Sequence, residues 1–368
     1  MSVLTAFSDK KDLVEAVAEL RNEIGSQKTY FLVFFASSKY DSNALASEIA
    51  KAFPNVPHIG CTTAGELISG KMSQEAIVAM GFDSEVLKGV RVNVVENMTD
   101  PGQNLPTVLA DFQNYFGQSL LDLPVEEYVG IILTDGMSLS EEKMMDALGN
   151  ESNIIFIGGS AGDDLAFQKT YVMANGKAYS NAAALAVLQP TVGYDIIKTQ
   201  SFKVTDNQLV PTKVNEEIRE VLEFNNQPAR VAYAQSIGVA PDQANQYFMK
   251  HPVGLIADGD PYVRSPQQFK GDNMVFYCSV TEGMELSLLE AGNIIDDTRK
   301  ALEIQTDAHT AGIINFHCIL RTLELREKNL EEPYGQLFKD IPTIGFSTYG
   351  EQYIGHINQT STMLVFKK

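Results

Sequence analysis

Disulfides, structural zinc and membrane passage have little to build on in this sequence. Its 368 residues include three cysteines, and Cys61, Cys278 and Cys318 stand far apart with no C-x-x-C pair among them. An odd, scattered set speaks against a disulfide framework and against a zinc site, and it suits a reducing cytoplasm. Long apolar runs are missing as well. Residues 30–36 and 182–188 are the longest candidates, far short of the roughly 20 residues that a membrane-spanning helix needs. Positive charge is scarce, with 28 Lys+Arg against 47 Asp+Glu and a net charge of −19. No basic run or aromatic-plus-basic stripe offsets this locally, so a phosphate backbone is repelled and nucleic acid is not an expected partner. The first turns carry Asp9, Lys10, Lys11, Asp12 and Glu15 in place of the apolar run of a secretory leader. The expectation is a cytoplasmic protein without membrane insertion. With 44% hydrophobic and 20% charged residues, the chain is of globular composition and long enough for about two domains.

What the chain does contain is repetition. I-G-C-T-T-A-G-E at 59–66, I-G-G-S-A-G-D-D at 157–164 and I-G-F-S-T-Y-G-E at 344–351 share an apolar residue, a glycine and a closing Gly-acid turn. V-G-L-I-A-D-G-D at 253–260 reads as a weaker fourth copy, and the four begin at near-even spacing. In the second copy Gly162 comes one position early, yet Asp164 holds the place of Glu66, Asp260 and Glu351.

The flanks of three copies agree. Strand-like runs at 30–36, 128–133 and 312–318 precede them. Between run and motif, residues 43–53 place Leu45, Ile49 and Ala52 on one helical face, and Ser140 is the expected N-cap of a helix over 141–148. A β-rich run follows each motif, at 76–82, 182–188 and 362–366. The expected fold is therefore α+β or mixed α/β, two tandem domains with mixed sheets built from a fourfold-repeated strand-helix-strand-turn-strand unit. Residues 1–28 read as an N-terminal helical extension, 29–225 as the first domain and 226–368 as the second, with N-N-Q-P at 225–228 as a short linker.

These phrases, with N-Q-T-S-T at 358–362, resemble the FIST family of bacterial sensory proteins over roughly residues 29–366. The resemblance implies a FIST N-terminal domain followed by a FIST C-terminal domain, and a ligand-sensing role without enzymatic activity. A group of stand-alone members of similar length binds haem, senses nitric oxide and acts on a separate histidine kinase. Haem, nitric oxide and such a partner are accordingly the expectations here. Two sensor domains leave no room in this chain for a kinase, methyl-accepting or cyclic-dinucleotide segment, so the signal is expected to pass to a separate protein. The alternative is a sensor of a small organic ligand such as an amino acid.

A haem ligand must be a neutral imidazole on a rigid element beside an apolar pocket. His251 suits this best as the metal ligand: it follows an expected helix over 242–250 that supplies Tyr247, Phe248 and Met249, and precedes Pro252. His317, in G-I-I-N-F-H-C-I-L-R, is the second candidate, and strand alternation sends it and Cys318 to opposite faces. His356 reads as a surface-loop residue, and His58 and His309 carry less. An organic ligand would be read by Glu66 or Glu351 at its amine and by Arg264 or Arg321 at its carboxylate, Arg321 being the better anchor. The same acids have a structural reading, in which a carboxylate accepts backbone N–H bonds in a turn that occurs once per repeat. Cys61 near His58 suggests a thiol nucleophile, but Gly159, Leu255 and Phe346 at the matching positions mark a core strand. The 158–162 glycine cluster lacks the lysine of a P-loop and the spacing of a dinucleotide fingerprint.

Overall fold

A computed structural model describes residues 3–368, which divide into two compact units. The larger gathers the chain up to residue 198 with 299–355 and 361–368; the smaller holds 199–298 and 356–360. Residue 225, where the cut between halves is expected, lies inside the smaller unit.

The larger unit is one pattern drawn three times. The first repeat runs β1 (Val3–Ser8), α1 (Leu13–Ile24), β2 (Phe31–Ser37), α2 (Ser42–Ala52), β3 (His58–Thr63), a hairpin β4 (Glu66–Ile68) and β5 (Lys71–Ser73), then β6 (Ile77–Phe82). The second runs β7 (Leu87–Glu96), α3 (Leu105–Phe116), β8 (Val129–Thr134), α4 (Glu141–Gly149), β9 (Phe156–Ser160), the hairpin β10 (Val172–Ala174) and β11 (Lys177–Tyr179), then β12 (Ala182–Pro190). The third opens with β13 (Tyr194–Thr199) and is interrupted.

The interruption is the smaller unit. It contains β14 (Phe202–Leu209), β15 (Pro211–Asn215), β16 (Glu220–Phe224), β17 (Gln227–Pro228), α5 (Ala229–Ile237), β18 (Val253–Ala257), β19 (Asp260–Arg264), β20 (Pro266–Lys270), β21 (Asn273–Phe276) and β22 (Leu286–Ala291). Two antiparallel sheets, β14-β22-β18-β19 and β15-β16-β21-β20, enclose a core that includes Phe224, Tyr233, Phe248 and Phe276. The chain then resumes the third repeat through α6 (Ile294–Gln305), β23 (Thr310–Cys318), α7 (Ile319–Glu327), α8 (Glu331–Gln336), β24 (Thr343–Thr348) and β25 (Glu351–Tyr353). Short β26 (His356–Ile357) belongs to the smaller unit, and β27 (Ser361–Lys367) ends the repeat.

Local chemistry accounts for the elements. The side chains of Asp12 and Asp41 cap α1 and α2 by accepting from Glu15 N at 3.0 Å and Ala44 N at 2.8 Å. Their apolar stripes, Ala16-Val17-Leu20-Ile24 and Leu45-Ala46-Ile49-Ala52, face the sheet. Ser140 stands at the N-cap of α4 as expected, but its hydroxyl donates to the Ser138 carbonyl at 3.0 Å. Each motif glycine second in its phrase, Gly60, Gly158 or Gly345, lies so close to a neighbouring strand that a Cβ would collide with the carbonyl of Phe34, Ile132 or Asn315.

In each repeat the two long strands flanking the helix are parallel, and the closing strand is antiparallel to the first of them. The hairpins are exchanged in a cycle. β10 of the second repeat pairs with β3, β25 of the third with β9, and β4 of the first with β24. The resulting sheets are β1-β6-β2-β3-β10-β11, β7-β12-β8-β9-β25 and β13-β27-β23-β24-β4-β5. Their inner faces share one core, in which Phe35 lies 4.5 Å from Phe346 and Phe82 lies 4.7 Å from Phe366, centroid to centroid.

Two expectations change. The first 28 residues do not form a purely helical extension, because β1 pairs with β6 and completes the first sheet. The segment at 253–260 is no fourth repeat: β18 and β19 form a plain antiparallel hairpin around Asp258-Gly259, with no parallel partner or intervening helix. Its near-even spacing arises because the inserted segment is about one repeat long.

Candidate functional site

The three motif turns meet at the carboxyl ends of the parallel strands, where α/β sheets present their ligand crevices. They close a ring of backbone hydrogen bonds. Ala64 N–H donates to the Ser347 carbonyl at 3.2 Å, Tyr349 N–H to that of Ser160 at 3.0 Å, and Gly162 N–H to that of Thr62 at 2.9 Å. Within the ring, Glu66 is buried, accepts from the Thr63 hydroxyl and accepts from Ala76 N at 3.1 Å. Burial, reinforced by Asp164, pushes its carboxyl up to about 8. Glu351 repeats the arrangement with the Thr348 hydroxyl at 2.5 Å. Asp164 accepts from Ser37 Oγ at 2.9 Å and from Ser38 N at 2.9 Å. Each acid thus stabilises a turn or the seam between two repeats.

The surface of each sheet turned away from the common core tells the repeats apart. Register makes Phe34, Ala36 and Ile77 of the first repeat equivalent to Ile132, Thr134 and Ala183 of the second and to Asn315, His317 and Ser361 of the third. The first two repeats pack helices against mostly apolar residues there. The third encloses a polar cluster: the Tyr334 hydroxyl of α8 meets His317 Nδ1 at 3.0 Å and lies 3.4 Å from both Asn315 Nδ2 and Ser361 Oγ, while Ser361 Oγ donates to Asn315 Oδ1 at 2.8 Å. His317 Nε2 is buried without a hydrogen-bond partner. Burial, with the positive charge of Arg321 adding to it, holds the imidazole well below its ordinary 6.5, so it is neutral. Arg321 itself is buried in the first turn of α7, and its neighbour Thr322 ties that helix to the motif through Ser347 Oγ at 2.8 Å.

Sequence reading singled out His317 and Arg321, which the fold brings into one neighbourhood, but missed Asn315, Tyr334 and Ser361. The alternation of Asn315 and His317 along one strand was the available signal, because it puts both on one face. Tyr334 arrives from a helix, and nothing in its local pattern announces it.

His251 lies in the smaller unit. The helix expected over 242–250 is reduced to a 3-10 turn at Ala244–Tyr247, for Pro241 precedes it and no side chain caps it. His251 is half-buried, its N–H donates to the Tyr247 carbonyl at 2.7 Å, and its Nδ1 meets the Leu289 carbonyl at 3.2 Å. A carbonyl only accepts, so Nδ1 is the donor in that contact, and Nε2 is the ring nitrogen that could hold a metal. His356 is buried in the same unit, contrary to its surface-loop reading, and its carbonyl accepts from Arg264 Nη1 at 2.9 Å. Among the described residues no group of three or more His, Cys, Asp and Glu side chains could hold a metal ion. No described helix is long and apolar enough to cross a membrane.

Residues 30–227 match the FIST N domain and residues 229–354 the FIST C domain. An uncharacterised protein of Methanocaldococcus jannaschii is 22% identical over 326 residues, which cover 80% of this chain and 61% of that protein. The chain thus spans about three fifths of the length of the relative it matches.

Proposed function

The chain belongs to the FIST family, whose paired domains are sensors of small ligands in signal transduction, and from that premise we propose that it is a cytoplasmic, non-catalytic sensor of a small polar organic ligand such as an amino acid. The observation that carries this reading is the buried Asn315-His317-Ser361-Tyr334 cluster beside Arg321, built where both sibling repeats are mostly apolar. Arg321 would take the ligand carboxylate and His317 Nε2 a further hydrogen bond. Glu66 and Glu351, engaged in their own turns, would then hold the framework. A thermal-shift screen over amino acids tests this. A stabilising ligand whose effect disappears in both His317→Ala and Arg321→Lys supports the reading; an unchanged effect in both rejects the site.

A second reading, haem with nitric oxide as the signal, is favoured by His251, whose Nδ1 contact with the Leu289 carbonyl leaves Nε2 free to bind a metal. His251 would hold the haem through Nε2, and the haem would supply an iron able to bind a diatomic gas. A Soret band that forms on haem addition, shifts with nitric oxide and vanishes in His251→Ala supports it, and its absence from the wild type rejects it. In either case the signal passes to a separate partner such as a histidine kinase, and a ligand-dependent change in the partner's autophosphorylation on mixing is the measurement that checks this.

A further inference from the structure

The exchange of hairpins leaves a groove at each seam of the larger unit. Three clefts of about 520–530 Å³ lie where a hairpin tip meets the next repeat: Asn175 against the end of α2 and the start of β3, Ile354 against α4 and β9, and Gly70-Lys71 against Glu331 and Glu332 of α8. Their recurrence makes a groove a consequence of the topology. Their linings differ, and the first alone combines aromatic walls with a buried histidine.

His58 occupies the position of Phe156 in the second repeat and Thr343 in the third. It lines the first cleft yet is 3% exposed. Its Nδ1 lies 2.8 Å from the Val56 carbonyl and must be the donor, so Nε2 is a bare acceptor, buried and without a hydrogen-bond partner. Burial lowers the imidazole from its ordinary 6.5, against the opposing effect of the Val56 bond, and keeps it neutral. Across the cleft stand Tyr30 and Tyr115, the former held up to about 12 by burial and by the neighbouring Tyr115 hydroxyl. The Arg91 guanidinium lies 5.6 Å from the Tyr115 ring centroid, with two bonds of 2.6 Å to Asp111. That pairing cancels its charge and removes the main attraction for an anion.

We propose that this cleft binds a small, neutral, planar aromatic molecule bearing a ring N–H or O–H, of the indole or phenol class. The ring packs against Tyr30, Tyr115 and the Arg91 guanidinium, and the donor supplies the hydrogen bond that His58 Nε2 lacks. Because Nε2 is closed to water, the donor reaches it by displacing side chains of the lining. The site is independent of the sensor sites discussed above, so its test stands or falls separately.

Isothermal titration of the full chain with indole and with indene, its counterpart of similar shape without the N–H, reads the proposal directly. Indole is expected to bind roughly tenfold more tightly than indene. His58→Phe, which installs the residue of the second repeat, brings indole down to the affinity of indene. His58→Gln, which restores an acceptor, retains part of the preference and guards against a folding defect in the phenylalanine variant. Tyr115→Ala weakens both ligands alike. No binding of either compound at millimolar concentration, equal binding of the two, or a preference that survives in His58→Phe overturns the assignment.

Discussion

The outer faces of the first and third sheets occupy the same places in the same topology, yet one is filled with Phe34, Ala36 and Ile77 and the other with Asn315, His317 and Ser361. The inner faces do not diverge in this way, because all three must fill one shared core with apolar side chains. Packing enforces likeness on the inside. On the outside the long strands of each repeat pack against that repeat's own helices, and the third uses that freedom to bury polar groups at a cost. An unpartnered Nε2 costs about 1–3 kcal/mol, and a buried network is worth its desolvation only when fully satisfied. A repeat that keeps an imidazole and an amide where the first sibling has Phe34 and Ala36 and the second Ile132 and a threonine bonded to Ser160 marks a place selected for something other than stability.

The comparison can be broken most visibly on its apolar side. Phe34→Ala is expected to lower unfolding stability by about 3–5 kcal/mol in denaturant titration, since Phe34 is fully buried and its site has little room to collapse. The cluster should respond less: Tyr334→Phe removes the partner of His317 Nδ1 and is expected to cost about 1–3 kcal/mol.

The pH dependence separates the two regions further. His317 and His58 are held below 6.5 in the folded chain, so only the unfolded chain takes up their protons as pH falls past that value, and their contribution to stability is lost toward acid. Glu66 runs the other way: raised from 4.5 to about 8, it favours the folded state fully below pH 4.5, and that contribution is lost progressively as pH rises from there to about 8. Glu66→Gln should flatten the fall in stability between about pH 4.5 and about pH 8, and Asn315→Ile with His317→Thr and Ser361→Ala should flatten part of the acid limb, both read from melting temperature against pH. Made together with Tyr334→Phe, that exchange, which copies second-repeat residues into the third, carries the smallest stability effect, within about 1 kcal/mol at neutral pH, because the whole network then leaves at once. Its ligand-induced thermal shift should vanish all the same.

Much of this was legible in the sequence. The I-G phrases located three parallel strand pairs, and their leading glycines are explained by close approach to a neighbouring strand. The exchange of hairpins was not legible, since pairing such as Val172 with Cys61 or Glu351 with Gly159 is a tertiary choice between equivalent edges. A false fourth repeat entered because the inserted segment happens to match the repeat in length and carries its own Gly-acid turn. Of the polar cluster, His317 and Arg321 stood out as residue types, whereas Tyr334 acquires its meaning only when α8 folds over β23.

The cyclic exchange also sets the order in which the molecule can be finished. The loop after β4 is bonded to the start of β24, Thr343 N to Ser69 Oγ, across 274 positions of chain. The β4-β5 hairpin therefore waits for its partner until β24 is made, and the β9 edge of the second sheet waits for β25, whereas the β3 edge of the first sheet is covered as soon as β10 appears. Such long closures slow folding and leave strand edges exposed to the wrong partners meanwhile. The hazard for this protein lies in assembly rather than in the finished state, and its yield should depend on chaperone supply and translation speed more than on the stability of the native fold.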